Sequence, residues 1–204
     1  MGLYAEHVLP RGVAWGMSGP RFRRQRASCF QEVAGRVLEV GFGAGLNLPH
    51  YPERVTELLA VEPATVNLKL AAPRVAAAPF PVRFIGRDGG AIPVEDGSID
   101  HVTSTWTLCT IADLPQALSE MRRVLKPDGR LHFLEHGLSP DEDVARWQHR
   151  LDRLQAFLFG GCHLDRRIDD IVCAAGFAID SLERYYMEGP RILSYLYKGR
   201  ARRD

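Results

Sequence analysis

Val37-Leu38-Glu39-Val40-Gly41-Phe42-Gly43-Ala44-Gly45 is an apolar run that ends in an acid and passes straight into glycines at every second position. Aliphatic and β-branched residues that stop at turn chemistry read as a parallel strand buried on both faces. The glycines allow a sharp turn and a close approach of the backbone to a ligand. A helix N-terminus normally follows, with unpaired N–H groups aimed at whatever lies above the strand. The spacing departs from the fingerprint Gly-x-Gly-x-x-Gly, because position 46 is Leu46 and the third glycine comes one residue early at Gly45. Taken alone, the triplet suits a tight structural turn equally well.

The next apolar run, Leu58-Leu59-Ala60-Val61, ends in a second acid, Glu62, 21 positions beyond Gly41. An acid about 20 residues past the first glycine is placed to meet ribose hydroxyls. The pair of acids therefore points to an adenosine-type ligand. Further runs at about 81–85, 99–105 and 130–135 read as strands, with helical stretches near 64–77 and 113–125 between them. Asp113 three places before Gln116 predicts an N-cap with a reciprocal partner, and Lys126-Pro127-Asp128-Gly129 predicts a stop and turn. Strands alternating with helices predict a parallel sheet covered on both faces. Ser139-Pro140-Asp141-Glu142 predicts a helix start, a capping box with proline at the first helical position. Val144, Trp147, Leu151, Leu154 and Leu158 then form one stripe at helical spacing, expected mostly to pack in the core. Residues 178–184 and 192–198 read as a terminal strand pair joined through Gly189-Pro190.

These motifs resemble the S-adenosylmethionine site of class I methyltransferases. Glu39-x-Gly41-x-Gly43-x-Gly45 with Glu62 is similar to its first two motifs. Asp88-Gly89-Gly90-Ala91-Ile92-Pro93 and Asp96-Gly97-Ser98-Ile99-Asp100 are similar to the third and fourth, and residues 118–130 to the helix and turn before the fifth strand. The resemblance covers most of residues 36–136. It implies an α/β, Rossmann-like fold with a mostly parallel seven-stranded sheet, a terminal antiparallel strand and helices on both faces. The methyl donor it implies is S-adenosyl-L-methionine, leaving S-adenosyl-L-homocysteine.

The composition is consistent with such an enzyme. A chain of 204 residues suits one domain with a sizeable core, divided into an N-terminal helical lid segment (1–35) and the cofactor-binding body (36–204). A formal net charge of +1 argues against a nucleic-acid partner. Cys29, Cys109, Cys162 and Cys173 show no C-x-x-C pairing, so neither a zinc site nor a disulfide framework is expected, and a reducing cytoplasm is. No run approaches the ~20 apolar residues of a membrane span, and no signal peptide is read at the start.

In an open α/β sheet the chemistry sits beyond the carboxyl ends of the strands. The resemblance then implies that Glu39 and the backbone of Gly41, Gly43 and Gly45 hold the methionine end. Asn47 adds a hydrogen bond or caps a helix. Glu62, beside Pro63, takes the ribose hydroxyls. Asp88 and Gly89 sit by the adenine, unless Asp88 merely caps its loop. Thr105 and Leu108 line the reactive end. His136, after Glu135 at the end of the fifth strand, is the candidate catalytic base as a neutral imidazole, or else only hydrogen-bonds the sheet edge. Cys109, Trp147, Cys162, His163 and Arg166 are expected around the acceptor. Arg166 would bind an anion or pair with Asp165 or Asp169. Cys162-His163 ranks low as a nucleophilic dyad, since adjacent residues rarely face one another.

The downstream pattern narrows the resemblance. Leu108-Cys109, Glu135-His136, Trp147-Gln148, Leu151-Asp152, Gly161-Cys162-x-Leu164-x-Arg166, Ala175-Gly176-Phe177 and Tyr197-x-Gly199-x-Ala201 are similar to the group that contains the microsomal alkyl thiol S-methyltransferases. Methylation of a small thiol is what that implies. Those enzymes carry an apolar N-terminal anchor, whereas this chain opens with Tyr4 to Pro10 and an arginine-rich segment, Arg21-Phe22-Arg23-Arg24-Gln25-Arg26. That segment reads first as a solvated helix face. It also suits a lid whose arginine meets the methionine carboxylate. With Arg191, Lys198, Arg200, Arg202 and Arg203 it could form a basic patch for peripheral contact with anionic lipid. The competing functions are a phospholipid or isoprenoid methyltransferase acting at O or N, and a non-catalytic S-adenosylmethionine-binding module. A nicotinamide oxidoreductase ranks below both because of Leu46.

Overall fold

The computed structural model describes residues 8–204. The seven strands are β1 (Gly35–Val40), β2 (Val55–Val61), β3 (Val82–Gly86), β4 (Ile99–Thr105), β5 (Leu125–His136), β6 (Phe177–Tyr186) and β7 (Tyr195–Arg203). They form one sheet in the order β3-β2-β1-β4-β5-β7-β6. Neighbours from β3 to β5 run parallel, and β7 lies antiparallel between β5 and β6. The chain reverses its winding between β1 and β4, and that switch point is where a crevice opens for ligands in such sheets. The expected Rossmann-like architecture is the one observed.

Helices α1 (Leu9–Gly16), α2 (Pro20–Cys29), α3 (Thr65–Ala76), α4 (Leu114–Val124), α5 (Glu142–Leu158), α6 (Ile168–Ala174) and α7 (Arg191–Ser194) complete the described fold. Successive strand residues point to opposite faces, so β1 and β2 feed two cores. Leu38, Val40, Leu59 and Val61 pack with Leu118 and Met121 of α4 and Val172 of α6. Val37, Leu58 and Ala60 pack on the other side with Cys29 of α2, Phe30, Val33 and Ala71 of α3. Each large apolar side chain buried this way contributes about 1.5–3 kcal/mol. The carboxyl ends of β1 and β4 are therefore held between two packed layers. Residues 8–35 of the expected lid segment are helical over α1 and α2, and α2 is anchored to the sheet through Cys29. The expectations that fall on Tyr4 to His7 lie outside the described residues.

Several expectations need correction. Asp113 does cap α4, accepting from Gln116 N at 3.1 Å, but the Gln116 side chain donates to the Gly90 carbonyl instead of back to the cap. The helix after Ser139 begins two residues later than a Ser139 cap requires, with Asp141 at the N-cap and no side-chain capping bond. Ser139 Oγ accepts from Asp141 N, and the Asp141 carboxylate is taken by Tyr186 and Arg191. The apolar stripe of α5 is not core: Trp147 is 52 % and Leu154 54 % exposed. The face of α5 that turns inward carries Gln148 and Asp152 instead. The last strand begins at Tyr195 because residues 191–194 take a helical turn. The C-terminal cations do not form an open basic patch, since Arg191, Lys198, Arg200 and Arg202 each face a carboxylate.

Candidate active site

The glycine turn joins β1 to the region above the switch point. Gly41 has φ +82°, and a Cβ there would lie 2.1 Å from Thr107 Oγ1, so conformation and close approach both require glycine. Gly43 has φ +57°, and a Cβ there would meet nothing within 4 Å. That side of the turn is open to a ligand. Gly45 closes the turn through its N–H to the Phe42 carbonyl at 3.1 Å.

Two acids hold this turn from below. Glu62 Oε2 accepts from Gly43 N at 2.7 Å, and Oε1 accepts from Ala64 N and Asn67 Nδ2, both at 2.9 Å. Glu62 thereby ties the turn to the start of α3, while the carbonyl of neighbouring Pro63 accepts from Arg87. Glu39 is fully buried, accepting from Asn47 Nδ2 at 2.7 Å and Tyr51 Oη at 2.8 Å. Burial pushes its carboxyl up to about 8, against the pull of those two donors and of Arg26. Asn47 also donates to Thr105 Oγ1 at 3.0 Å and accepts from Arg26 Nε at 3.0 Å. It makes no capping bond, so the capping alternative is set aside. Arg26 is only 3 % exposed, which overturns the solvated-face reading for that residue. Its guanidinium stacks 4.8 Å over Trp106. Helix α2 thus places a buried arginine against Asn47 and Trp106. A cavity of ≈ 210 Å³ between the α1–α2 turn and α3 is lined by Arg23, Arg26, His50 and Arg74.

Beyond β4 the backbone is forced over the end of β5. Trp106 adopts φ +49°, a left-handed conformation costly for a bulky residue and concentrated at functional sites. The N–H groups of Thr107 and Leu108 donate to Glu135 Oε1 at 2.9 and 3.0 Å, and Cys109 N reaches Oε2 at 3.5 Å. Burial raises the Glu135 carboxyl to about 7 against those N–H groups. Cys109 is thereby delivered to the neighbourhood of His136 and Cys162. His136 Nε2 lies 2.9 Å from Cys162 Sγ, and the two sulfurs are 3.9 Å apart. Contact with Cys109, His136 and Gln155 draws the Cys162 thiol down to about 4 despite burial, while Cys109 is pushed well up by Cys162 and by burial. Burial works against charge on His136, yet the Cys162 sulfur outweighs it and raises the imidazole.

Residues 38–133 match the Methyltransferase domain family. The human thiol S-methyltransferase TMT1A is 33% identical over 155 residues, 71% of this chain and 62% of that protein, so this chain spans less than two thirds of its length. Human thiol S-methyltransferase TMT1B is 32% identical over 186 residues, 82% of this chain and 73% of the relative. The demethylmenaquinone methyltransferase of Deinococcus radiodurans is 31% identical over 160 residues, 75% and 66% respectively. The chain belongs to the class I S-adenosylmethionine-dependent methyltransferases. Membership implies S-adenosylmethionine as methyl donor. The open side of Gly43, beside a carboxylate, is a cradle that fits it.

The methyltransferase does not bring every expected residue together. Asp88 is exposed, and its Oδ1 accepts from Gly90 N at 2.8 Å, the loop-capping use. Gly89 packs close to Val40. Leu108 is fully buried in the main core. Trp147 stands half exposed beneath the Arg150 guanidinium, away from the inward face of α5. Arg166 neither awaits an anion nor pairs with Asp165 or Asp169, because it donates to the carbonyls of Leu108 and Ile111. His163 is engaged by Asp152 at 2.8 Å, so Cys162 pairs with His136 and not with its neighbour. Tyr51, Asn67 and the Glu135 backbone clamp escaped the sequence reading, and Gln148, quoted there beside Trp147, was given no role in orienting α5. Of these only Glu135 carried a signal, an acid inside a buried strand.

Proposed function

We propose that this methyltransferase moves the methyl group of S-adenosylmethionine to the sulfur of a small thiol. Glu39 and the backbone of Gly41, Gly43 and Gly45 take the methionine end, and Glu62 the ribose. Thr105, which bonds Asn47, flanks the sulfonium. The sulfonium carries its own leaving group, so the protein's task is in-line alignment, worth roughly 7–11 kcal/mol. Similarity to two human thiol S-methyltransferases supports the acceptor class. The observation that carries the reading is at the end of β5, where Glu135 is saturated by backbone N–H groups and what remains is sulfur and imidazole. A hydroxyl acceptor needs a positioned base, whereas a thiol is partly ionised near neutral pH. Four free cysteines suit the reducing cytoplasm in which such thiols persist.

One observation favours a second reading. Trp147, Leu154 and Phe157 leave an apolar stripe on α5 in solvent, which suits a lipophilic acceptor and agrees with the quinone methyltransferase relative. Among the described residues no helix is long and apolar enough to cross a membrane. Mass spectrometry of products from hydrogen sulfide, small alkyl thiols, a demethylated quinol and lipid headgroups separates the readings. Methyl thioether or methanethiol formation supports the first, and a methylated quinol or lipid with unreacted thiols replaces it.

A further inference from the structure

Cys109, His136 and Cys162 come from three places in the chain: the loop after β4, the end of β5 and the turn after α5. Their donor atoms all lie within 4.8 Å of one another. The backbone carrying them is held. Glu135 binds the loop of Cys109 through its N–H groups, and His163 N donates to the Cys109 carbonyl at 2.9 Å. Asp152 accepts from Leu164 N at 2.7 Å, fixing the turn of Cys162 from its other side. Thr107, two residues before Cys109, reaches the Gly41 carbonyl at 3.5 Å, so the cluster adjoins the glycine turn.

Tetrahedral zinc with Zn–S of about 2.3 Å and Zn–N of about 2.0 Å separates two sulfurs by roughly 3.8 Å and sulfur from nitrogen by roughly 3.5 Å. The observed 3.9 Å between the sulfurs fits without movement. The 2.9 Å between His136 Nε2 and Cys162 Sγ needs an opening of about half an ångström, within reach of a side-chain rotation. Two thiolates and one imidazole select a thiophilic cation over magnesium or calcium, and three protein ligands leave a fourth position for water or substrate.

We infer that Cys109, His136 and Cys162 form a three-ligand site for a thiophilic divalent cation, zinc above all, whose fourth position takes the acceptor's sulfur. The acceptor clause rests on the thiol reading above; the metal site does not. On ligation the acceptor S–H loses its proton to solvent. The bound thiolate sulfur attacks the methyl carbon, and the carbon–sulfonium bond breaks with its electron pair passing to the cofactor sulfur. The product thioether is uncharged and a weaker ligand than a thiolate, so it leaves and water returns.

The test uses the wild-type chain, purified with reductant and without chelator, with metal content read by atomic spectroscopy. About one zinc per chain is expected, reduced at least tenfold in Cys109→Ser and Cys162→Ser and retained in Cys173→Ser, whose thiol is exposed elsewhere. Cobalt titrated into metal-free wild type should give thiolate charge-transfer absorption and intense tetrahedral d–d bands, a readout needing no variant. Adding 2-mercaptoethanol should shift those d–d bands. A chain that binds S-adenosylhomocysteine by calorimetry yet takes neither zinc nor cobalt overturns the metal site and leaves the methyltransferase assignment standing. A Cys109–Cys162 disulfide mapped in the chain as purified from cells also overturns it. Cobalt bands unmoved by thiol remove the acceptor from the fourth position.

Discussion

Glu62 illustrates how one carboxylate ties a turn to a helix start. Three protein donors already reach it, so its loss disturbs the turn as well as any ribose contact. Hydrogen bonds to a charged group contribute about 1.5–3 kcal/mol, which is roughly 10–100-fold in affinity. Glu62→Ala should weaken S-adenosylhomocysteine binding by that factor in calorimetry. Asn67→Ala, which removes one donor and keeps the carboxylate, should cost far less; equal losses would mean that Glu62 acts only by capping α3. Glu39 offers a pH test. Its carboxyl sits near 8 in the fold against 4.5 in the unfolded chain, chiefly through burial. The folded state therefore holds a proton that the unfolded state has released between those values. Stability from this group is full below 4.5 and is lost as pH rises toward 8. Glu39→Gln cannot titrate, so denaturant melts from pH 5 to 8 should show wild type losing stability relative to the variant. Parallel profiles would place the Glu39 proton elsewhere.

At the scale of elements, the sequence revealed strands better than helix faces. β1, β2 and β4 were legible because they are largely buried runs bounded by acids, glycines or prolines, and β3, a partly exposed edge strand, because Pro81 and Gly86 bound it. The face of α5 was misread because helical spacing says which residues share a face but not which face turns inward. Gln148 decides it. Its side chain accepts from Ser139 N at 2.8 Å and donates to the carbonyls of Gly137 and Ile192, both at 3.0 Å. Those backbone groups belong to the end of β5 and the turn before β7, so the helix is oriented by polar pairing while Leu154 and Leu158 face solvent. Gln148→Leu preserves bulk and takes this partner from two buried backbone groups and one half-buried carbonyl. Each such orphan costs about 1–3 kcal/mol before relaxation, so a net loss near 3 kcal/mol is expected in urea melts. Leu154→Gln on the exposed face should change stability by less than about 0.5 kcal/mol. A reversed order would restore the stripe as core.

Across the whole molecule, the turn and the two acids that hold it could be read from sequence because they lie near one another along the chain. Glu39, the glycines and Glu62 span two strands and one turn. Cys109, His136 and Cys162 could be singled out one by one, but their meeting could not be read, because it comes about only once β4, β5 and α5 have docked. The same difference predicts how ligand binding spreads. The glycine turn is fixed to β2 by N–H groups of Gly41 and Phe42 on the Val61 carbonyl, to α3 by Glu62, and to α2 through Asn47 and Arg26. A ligand seated there touches elements from both sheet faces and stabilises the fold as a unit. At one hundred times Kd the gain is about 2.7 kcal/mol, and for a chain of this length that raises Tm by roughly 5–10 °C. S-adenosylhomocysteine should produce that shift in a single cooperative transition, and NAD at equal concentration should not. In Glu62→Ala the shift should shrink in step with the calorimetric affinity. If the transition splits, with only part of the chain stabilised, then α2 and the sheet are not coupled through Arg26 and Asn47, and the lid is energetically separate from the cradle it covers.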